Sequence, residues 1–344
     1  MRWAVVLAGG VGSRFWPLST ASRPKQFLPL AGAQPLLVDA VTRIQPMIPA
    51  ERILIVTSRA LAQPTRDLLP MLPAGNVLAE PRAASTAPAL AWATLHAARA
   101  DAQASVVSLH ADWTVADGEG FCAAAARALD LAEQQDVLVT VGAKPDRPET
   151  GYGWIIPGAA LGSGFRIARF QEKPDAATAA ALMAQGALWN TGLFAWTARR
   201  FKAEVEAHTP ELRPALPLFD KGDAEAAFAA VKPVSIDVGV FERTQRGAAI
   251  AASFGWDDAG SWAGLLRIRR PDAAGNVTAG EAVAVDTKDS VIWSEDGATV
   301  VYGLSNVVVV RARGITLVTT ADRAPDLKKL LDRLPKELAG ERGA

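Results

Sequence analysis

Four short apolar runs punctuate the first part of the chain, at residues 3–7, 52–57, 105–109 and 137–141. Each is too short for a core helix and lacks polar alternation, the pattern of strands buried on both faces in a mainly parallel sheet. Between them, residues 36–45 and 86–99 have the length and alanine-rich composition of crossover helices. The second has Ser85 or Thr86 at the N-cap and Pro88 in the first turn, where a missing N–H costs nothing. Strand and helix alternate, which predicts a layered α/β sheet. Residues 151–170 read differently, as hairpin-like strands with glycine turns, and 175–185 as a helix ending at Gly186. This mixed segment is expected to lie over the open end of the sheet.

Beyond Pro271 the rhythm changes to short strands at 282–286, 290–293, 299–302, 307–311 and 315–319, separated by turns such as Glu295-Asp296-Gly297. Two domains are therefore expected, 1–270 and 271–344, the second small and β-rich, its segments spaced to coil into a few turns of a β-helix. Residues 325–334 place Leu327, Leu330, Leu331 and Leu334 on one helical stripe that Pro335 stops. Such a stripe must dock on its own chain or on a second subunit, so a homodimer through the C-terminal region is one expected assembly.

Charge narrows the partners. The 344 residues carry 36 basic and 36 acidic side chains, a balance that sets up no field for nucleic acid or an anionic membrane. Gly, Pro or charge interrupts every apolar stretch before the ~18 to 20 residues a bilayer span needs. Cys122 is the single cysteine, which excludes an internal disulfide, and Met1-Arg2-Trp3-Ala4-Val5 leads straight into a strand without a signal peptide; a cytoplasmic protein is expected. His96, His110 and His208 are too scattered for a zinc cluster.

The chemistry concentrates after the first strand, in LAGGVGSRFWPLSTASRPKQFLPL, residues 7–30. Gly9, Gly10 and Gly12 allow backbone N–H groups to approach phosphate oxygens, and Arg14 and Lys25 add positive charge. The dinucleotide motif would need glycine at Phe15, and the Gly-Lys-Ser/Thr phosphate loop is absent. Glu80 is a carboxylate able to accept two adjacent N–H donors of one ligand. Glu172 and Lys173 fall in a strand pattern that sends successive side chains to opposite faces, so sharing one ligand requires a local twist or bulge. Gly153, by close backbone approach, and Asn190, by its paired donor and acceptor, are candidates for a ligand pocket; a turn-capping Asn is the alternative. Asp237, between two apolar residues, either faces that pocket or satisfies a buried backbone group. Asp112 follows a strand and Asp258 sits in a Gly-Trp-Asp-Asp-Ala-Gly-Ser-Trp turn, with Asp257 beside it expected to be exposed.

The string AGG-x-G-S-R-x-W-P-L with R-P-K-Q-F-L resembles the signature of the sugar nucleotidylyltransferases, in the form of the mannose-1-phosphate guanylyltransferase branch. The similarity continues in order through Glu80-Pro81 and Thr86-Ala87-Pro88-Ala89, Ala111-Asp112, Arg147 to Gly153, Phe170 to Pro174, Trp189 to Gly192, Ser235-Ile236-Asp237 and Trp256 to Trp262. It departs at Ala84 and Ser85, where relatives often carry a basic residue and Asn, and at His110 and Trp113 around the aspartate. The resemblance implies a Rossmann-like, mixed but mainly parallel sheet of the nucleotide-diphospho-sugar transferase type, with a small β-helix-like C-terminal domain. It also implies GTP and α-D-mannose 1-phosphate as substrates and Mg²⁺ held by Asp112 and Asp258. Leu7, Gly9, Gly10, Gly12, Ser13, Arg14, Lys25, Glu80, Thr86 and Ala87 would then bind nucleotide. Gly153, Glu172, Lys173, Asn190 and Asp237 would bind the sugar phosphate. A different sugar or triphosphate, or a homologue that binds nucleotide sugar without turnover, is the alternative.

Overall fold

The computed structural model describes residues 1–10 and 12–339, so Val11 and the last residues of the expected second domain, 340–344, lie outside the description. The described chain packs as two compact units. One comprises Met1–Gly9, Ala40–Ala111 and Val115–Trp256; the other comprises Gly10–Asp39, Asp112–Thr114 and Asp257–Ala344.

In the first unit the apolar runs become strands Arg2–Leu7, Ile53–Ser58, Ser105–His110 and Leu138–Ala143. Among the described residues they join a nine-stranded sheet. From one edge it runs Val77–Glu80, Ile53–Ser58, Arg2–Leu7, Ser105–His110, Leu188–Thr197, Leu138–Ala143, Gly247–Ala251, Gly164–Glu172 and Gly153–Leu161. Pairing is parallel over the first four, and antiparallel where Leu188–Thr197 meets its neighbours on both sides. Leu188–Thr197 and Gly247–Ala251 have no counterpart in the apolar pattern above. The first is broken by Asn190-Thr191-Gly192 and the second is built of small residues. The segment after Gly151 does not lie over the sheet as expected. Gly153–Leu161 and Gly164–Glu172 form a hairpin that extends it, with Phe165 and Arg166 in register with Ala249 and Ala248. The open edge of Gly247–Ala251 would otherwise leave its backbone groups unpaired.

Helix Thr86–Ala100 packs along Arg2–Leu7 and on helices Ala198–His208 and Leu216–Lys221; helix Gly118–Gln135 packs along Ser105–His110, Leu138–Ala143 and Leu188–Thr197. The first is buried nearly all round, and its alanines admit close neighbours. Ser85 stands at its N-cap with φ 69° and makes no capping bond. Thr86 does not cap either: its Oγ1 accepts the Ile236 N–H at 2.8 Å.

In the second unit, strands Val277–Val285, Val291–Tyr302 and Val307–Ala312 stack in parallel, and Ile315–Thr320 closes the sheet antiparallel. Val277, Val291 and Val308 share one register row, as successive turns of a coil require. The unit does not follow the expected boundary at 270/271, because packing groups what the chain separates. Phe15, Trp16, Leu18, Leu28, Leu30 and Leu36 share one core with Trp262, Leu265, Val291, Trp293, Val308 and Leu327. Each such burial contributes about 1.5–3 kcal/mol, so the loop 10–39 belongs energetically with the C-terminal strands. The expected helix over 325–334 is shorter, Leu327–Leu331, preceded by a 3-10 stretch Ala321–Asp326 that contains Pro325. Proline's missing donor explains the late start. Leu330, Leu331 and Leu334 pack on this same core, so the stripe docks on its own chain. No helix among the described residues is long and apolar enough to cross a membrane.

Candidate active site

The expected site residues divide between the units. Leu7, Gly9, Glu80, Thr86, Ala87, Gly153, Glu172, Lys173, Asn190 and Asp237 lie in the first; Gly10, Gly12, Ser13, Arg14, Lys25, Asp112 and Asp258 lie in the second.

In the second unit the glycine turn runs into a single 3-10 turn, Ser13–Phe15, entered through Gly12 in the left-handed region at φ 69°, ψ 44°. A Cβ on Gly12 would sit 2.2 Å from the Lys25 Cβ, so glycine is required twice, for its torsion and for the approach of Lys25. Gly10 is exposed with nothing within 4 Å of a notional side chain, which leaves its backbone open to a ligand. Arg14 is exposed. Lys25, 4% exposed, begins its own 3-10 turn, Lys25–Phe27. Its Nζ donates to Asp112 Oδ2 at 3.1 Å and to the Asp258 carbonyl oxygen at 2.5 Å, and lies 5.8 Å above the Phe15 ring. One ammonium thus bridges both aspartates expected to bind metal. Asp258 Oδ1 accepts the Gly260 N–H at 3.1 Å, and the Asp112 side chain is 41% exposed.

Asp257 is not exposed as expected: its side chain is 14% exposed, forked to Arg267 at 2.7 and 3.1 Å, and accepts the Ala259 N–H. These bonds commit Asp257 to shaping the turn. The donors around Lys25 are hard oxygens, the kind magnesium prefers. Among the described residues no group of three or more His, Cys, Asp or Glu is placed to hold a metal ion, so a cation here would complete its shell with substrate or water oxygens.

In the first unit, strand Val77–Glu80 ends on Glu80, whose Oε2 lies 3.5 Å from the Cβ position of Gly9. Burial alone lifts this carboxyl to about 7. Leu7 ends its strand half-buried, and its carbonyl accepts the Ala111 N–H. Ala87 is fully buried and donates its N–H to the Val234 carbonyl. Together with the Thr86–Ile236 bond, this commits the helix start to the 234–236 segment.

Gly153 pairs with Glu172 across the hairpin, and a Cβ there would meet Glu172 Oε2 at 2.6 Å. Strand Gly164–Glu172 ends at Glu172, and Lys173 turns into the left-handed region at φ 43°. That torsion breaks the alternation that set the two side chains on opposite faces, and Lys173 Nζ reaches Glu172 Oε1 at 2.5 Å. Opposite them, a register shift between Thr140 and Gly142 brings Asn190 to Gly142, a local irregularity that re-aims side chains. Thr140 Oγ1 donates to Asn190 Oδ1 at 2.7 Å, the Gly192 N–H donates to the same oxygen, and Asn190 Nδ2 donates to Asp237 Oδ1 at 2.9 Å. Asp237 opens a π-helical turn, Asp237–Phe241. Desolvation first, and then the negative charge of Glu172, push its carboxyl up to about 7; the Asn190 bond and Lys173 oppose the shift.

Sequence reasoning missed Thr140 and Glu242, which accepts the Glu172 N–H at 3.0 Å. Thr140, a hydroxyl within the apolar run 137–141, was a visible signal. Arg147 appeared only as part of a motif; it lies 4.8 Å over Trp189 and pairs with Glu149, pinning the loop before Gly153.

Two family matches divide the chain between residues 274 and 280, near the boundary expected at 270/271. Residues 3–274 match the family described as Nucleotidyl transferase, and residues 280–334 the MannoseP isomerase/GMP-like beta-helix domain. The chain is 35% identical over 342 residues to Xanthan biosynthesis protein XanB of Xanthomonas campestris pv. campestris (strain B100), covering 96% of this chain and 72% of that protein. It is 34% identical over 353 residues to mannose-1-phosphate guanylyltransferase of Escherichia coli (strain K12), covering 96% and 73%. A solved structure described as mannose-1-phosphate geranyltransferase from Thermus thermophilus superposes with a TM-score of 0.91 at 34% identity, covering 96% of this chain and 98% of the other. The chain belongs to the nucleotidyl transferase family, in its mannose-1-phosphate guanylyltransferase branch.

Proposed function

We propose that the protein joins α-D-mannose 1-phosphate to the α-phosphate of GTP, forming GDP-mannose and releasing pyrophosphate. A phosphate oxygen of the sugar phosphate attacks the α-phosphorus as the bond to the β-phosphate oxygen breaks, and the leaving pair stays on pyrophosphate. The nucleophile's second pKa lies near ~6, so it enters ionised and no general base is needed. The protein's task is placement and neutralisation of charge.

The observation that carries the reading is the Lys25 ammonium held between the Asp112 carboxylate and the Asp258 carbonyl, on the turn that Gly12 allows to close. Lys25 and the exposed Arg14 are the cations for the phosphates. Asp112 and Asp258 would hold Mg²⁺, which when bound supplies positive charge to crowded phosphate oxygens. Glu80 accepts the paired guanine donors. Glu172, Asn190 and Asp237 offer acceptors and a donor to sugar hydroxyls, and Lys173 serves the sugar's phosphate. The exposed Val283, Val285, Val300 and Tyr302 on the C-terminal strands support pairing of two copies through that region, which sedimentation reads directly.

The deciding experiment incubates the protein with GTP, Mg²⁺ and mannose 1-phosphate, with UTP and glucose 1-phosphate as competitors. GDP-mannose with stoichiometric pyrophosphate is expected. Faster turnover of another pair would reassign the substrates, and no pyrophosphate with any pair would sink the reading.

A further inference from the structure

Among the described residues, the loop that holds Lys25 has two isolated 3-10 turns to stiffen it, Ser13–Phe15 and Lys25–Phe27. The Lys25 ammonium nevertheless needs a defined position, since electrostatic stabilisation depends on donors fixed in advance. The stiffness comes from below. Phe15, fully buried, lies under the ammonium. The Trp262 ring, also fully buried, is 5.1 Å from Phe15, and its Nε1–H donates to the Trp16 carbonyl at 3.0 Å. Trp262 in turn meets Trp293 of the C-terminal sheet at 5.6 Å. The Arg269 guanidinium lies 4.9 Å over Trp293 and donates to the carbonyls of Leu30 at 2.7 Å and Pro29 at 2.8 Å. Both ends of the loop are thus tied to one aromatic column that is rooted in the C-terminal strands.

We propose that Trp262 is a positioning residue: through the Phe15 ring and the Trp16 carbonyl it sets the Lys25 ammonium for the phosphates, with Trp293 and Arg269 anchoring the column. The inference rests on the assignment of Lys25 to nucleotide phosphates made above. A residue that only filled the core would alter stability when replaced, without selectively releasing Lys25 or lowering kcat at unchanged KM.

The test compares wild type, Trp262→Phe and Phe15→Leu in three measurements: acylation of Lys25 by an amine-reactive ester read by peptide mass spectrometry, steady-state kinetics, and the thermal midpoint. Trp262→Phe keeps an aromatic ring and deletes the bond to Trp16. Phe15→Leu keeps apolar volume and deletes the ring under the ammonium; it decides the matter if the first variant does not fold. In a folded variant, Lys25 should acylate at least about fivefold faster, and kcat should fall about tenfold or more with the sugar-phosphate KM within about twofold. Wild-type labelling of Lys25 together with wild-type kcat overturns the proposal, and so does a lower kcat with Lys25 labelling unchanged. Wild-type protein that releases no pyrophosphate would instead sink the functional reading, leaving the labelling comparison to decide the positioning.

Discussion

Burial holds the Glu80 carboxyl at about 7, so near neutrality it is only partly ionised. To accept two guanine N–H groups it must lose its proton, and binding therefore becomes harder as pH falls. Calorimetric GTP affinity should weaken by about tenfold per pH unit below ~7, and Glu80→Gln should flatten that slope while lowering affinity above that pH. Stability has the opposite sign. A carboxyl raised above its unfolded value favours folding less as pH climbs from 4.5 through about 7, so Glu80→Gln should melt higher than wild type on the alkaline side of that window. Asp112→Asn and Asp258→Asn remove charge at solvent-reached positions and should each lower kcat by about two orders of magnitude or more while leaving the thermal midpoint nearly unchanged. Lys173→Ala should raise the sugar-phosphate KM more than the GTP KM, if the Lys173–Glu172 pair belongs to the proposed sugar site; the reverse split would move it out of that site. The motifs single out Glu80, Asp112 and Asp258 from the sequence alone. The raised Glu80 value was not legible there, since desolvation depends on what packs around a side chain. Nor was the left-handed torsion at Lys173, which overrides an alternation rule that is sound for regular strands.

At the scale of the element, glycine decides where chains approach. Gly12→Ala combines a left-handed torsion with a contact at 2.2 Å, so the loop must move away from Lys25. The expected result is a kcat lower by about a hundredfold with a stability loss of about 1–3 kcal/mol, measured by kinetics alongside urea unfolding. The uniformly apolar strands were legible, because a run buried on both faces needs no partner to identify it. Leu188–Thr197 was hidden by its polar residues: Asn190 and Thr191 are buried and hydrogen-bonded, and their partners are distant in the chain. The hairpin after Gly153 was recognised as β structure but misplaced, because local pattern specifies a hairpin and not which sheet edge it completes.

The whole molecule is not organised in the order in which its chain is written. The boundary that composition suggests near Pro271 marks a change in element type, whereas the buried side chains unite residues 10–39 with the C-terminal strands. Composition is a local average and cannot report which distant apolar residues share a core. A chain ending at residue 274 would expose Phe15, Trp16, Leu18, Leu28 and Trp262, and it should be inactive and insoluble, which expression and pelleting would check. The same arrangement sets a schedule for biosynthesis. Phe15 leaves the ribosome early, but its last partners in Trp293, Val308 and Leu327 follow roughly 15 to 60 s later at ordinary elongation rates of about 5–20 residues/s. During that interval the nascent segment carries uncovered aromatic surface, so yield in the cell should depend on chaperone supply and translation speed more steeply than on the stability of the finished enzyme.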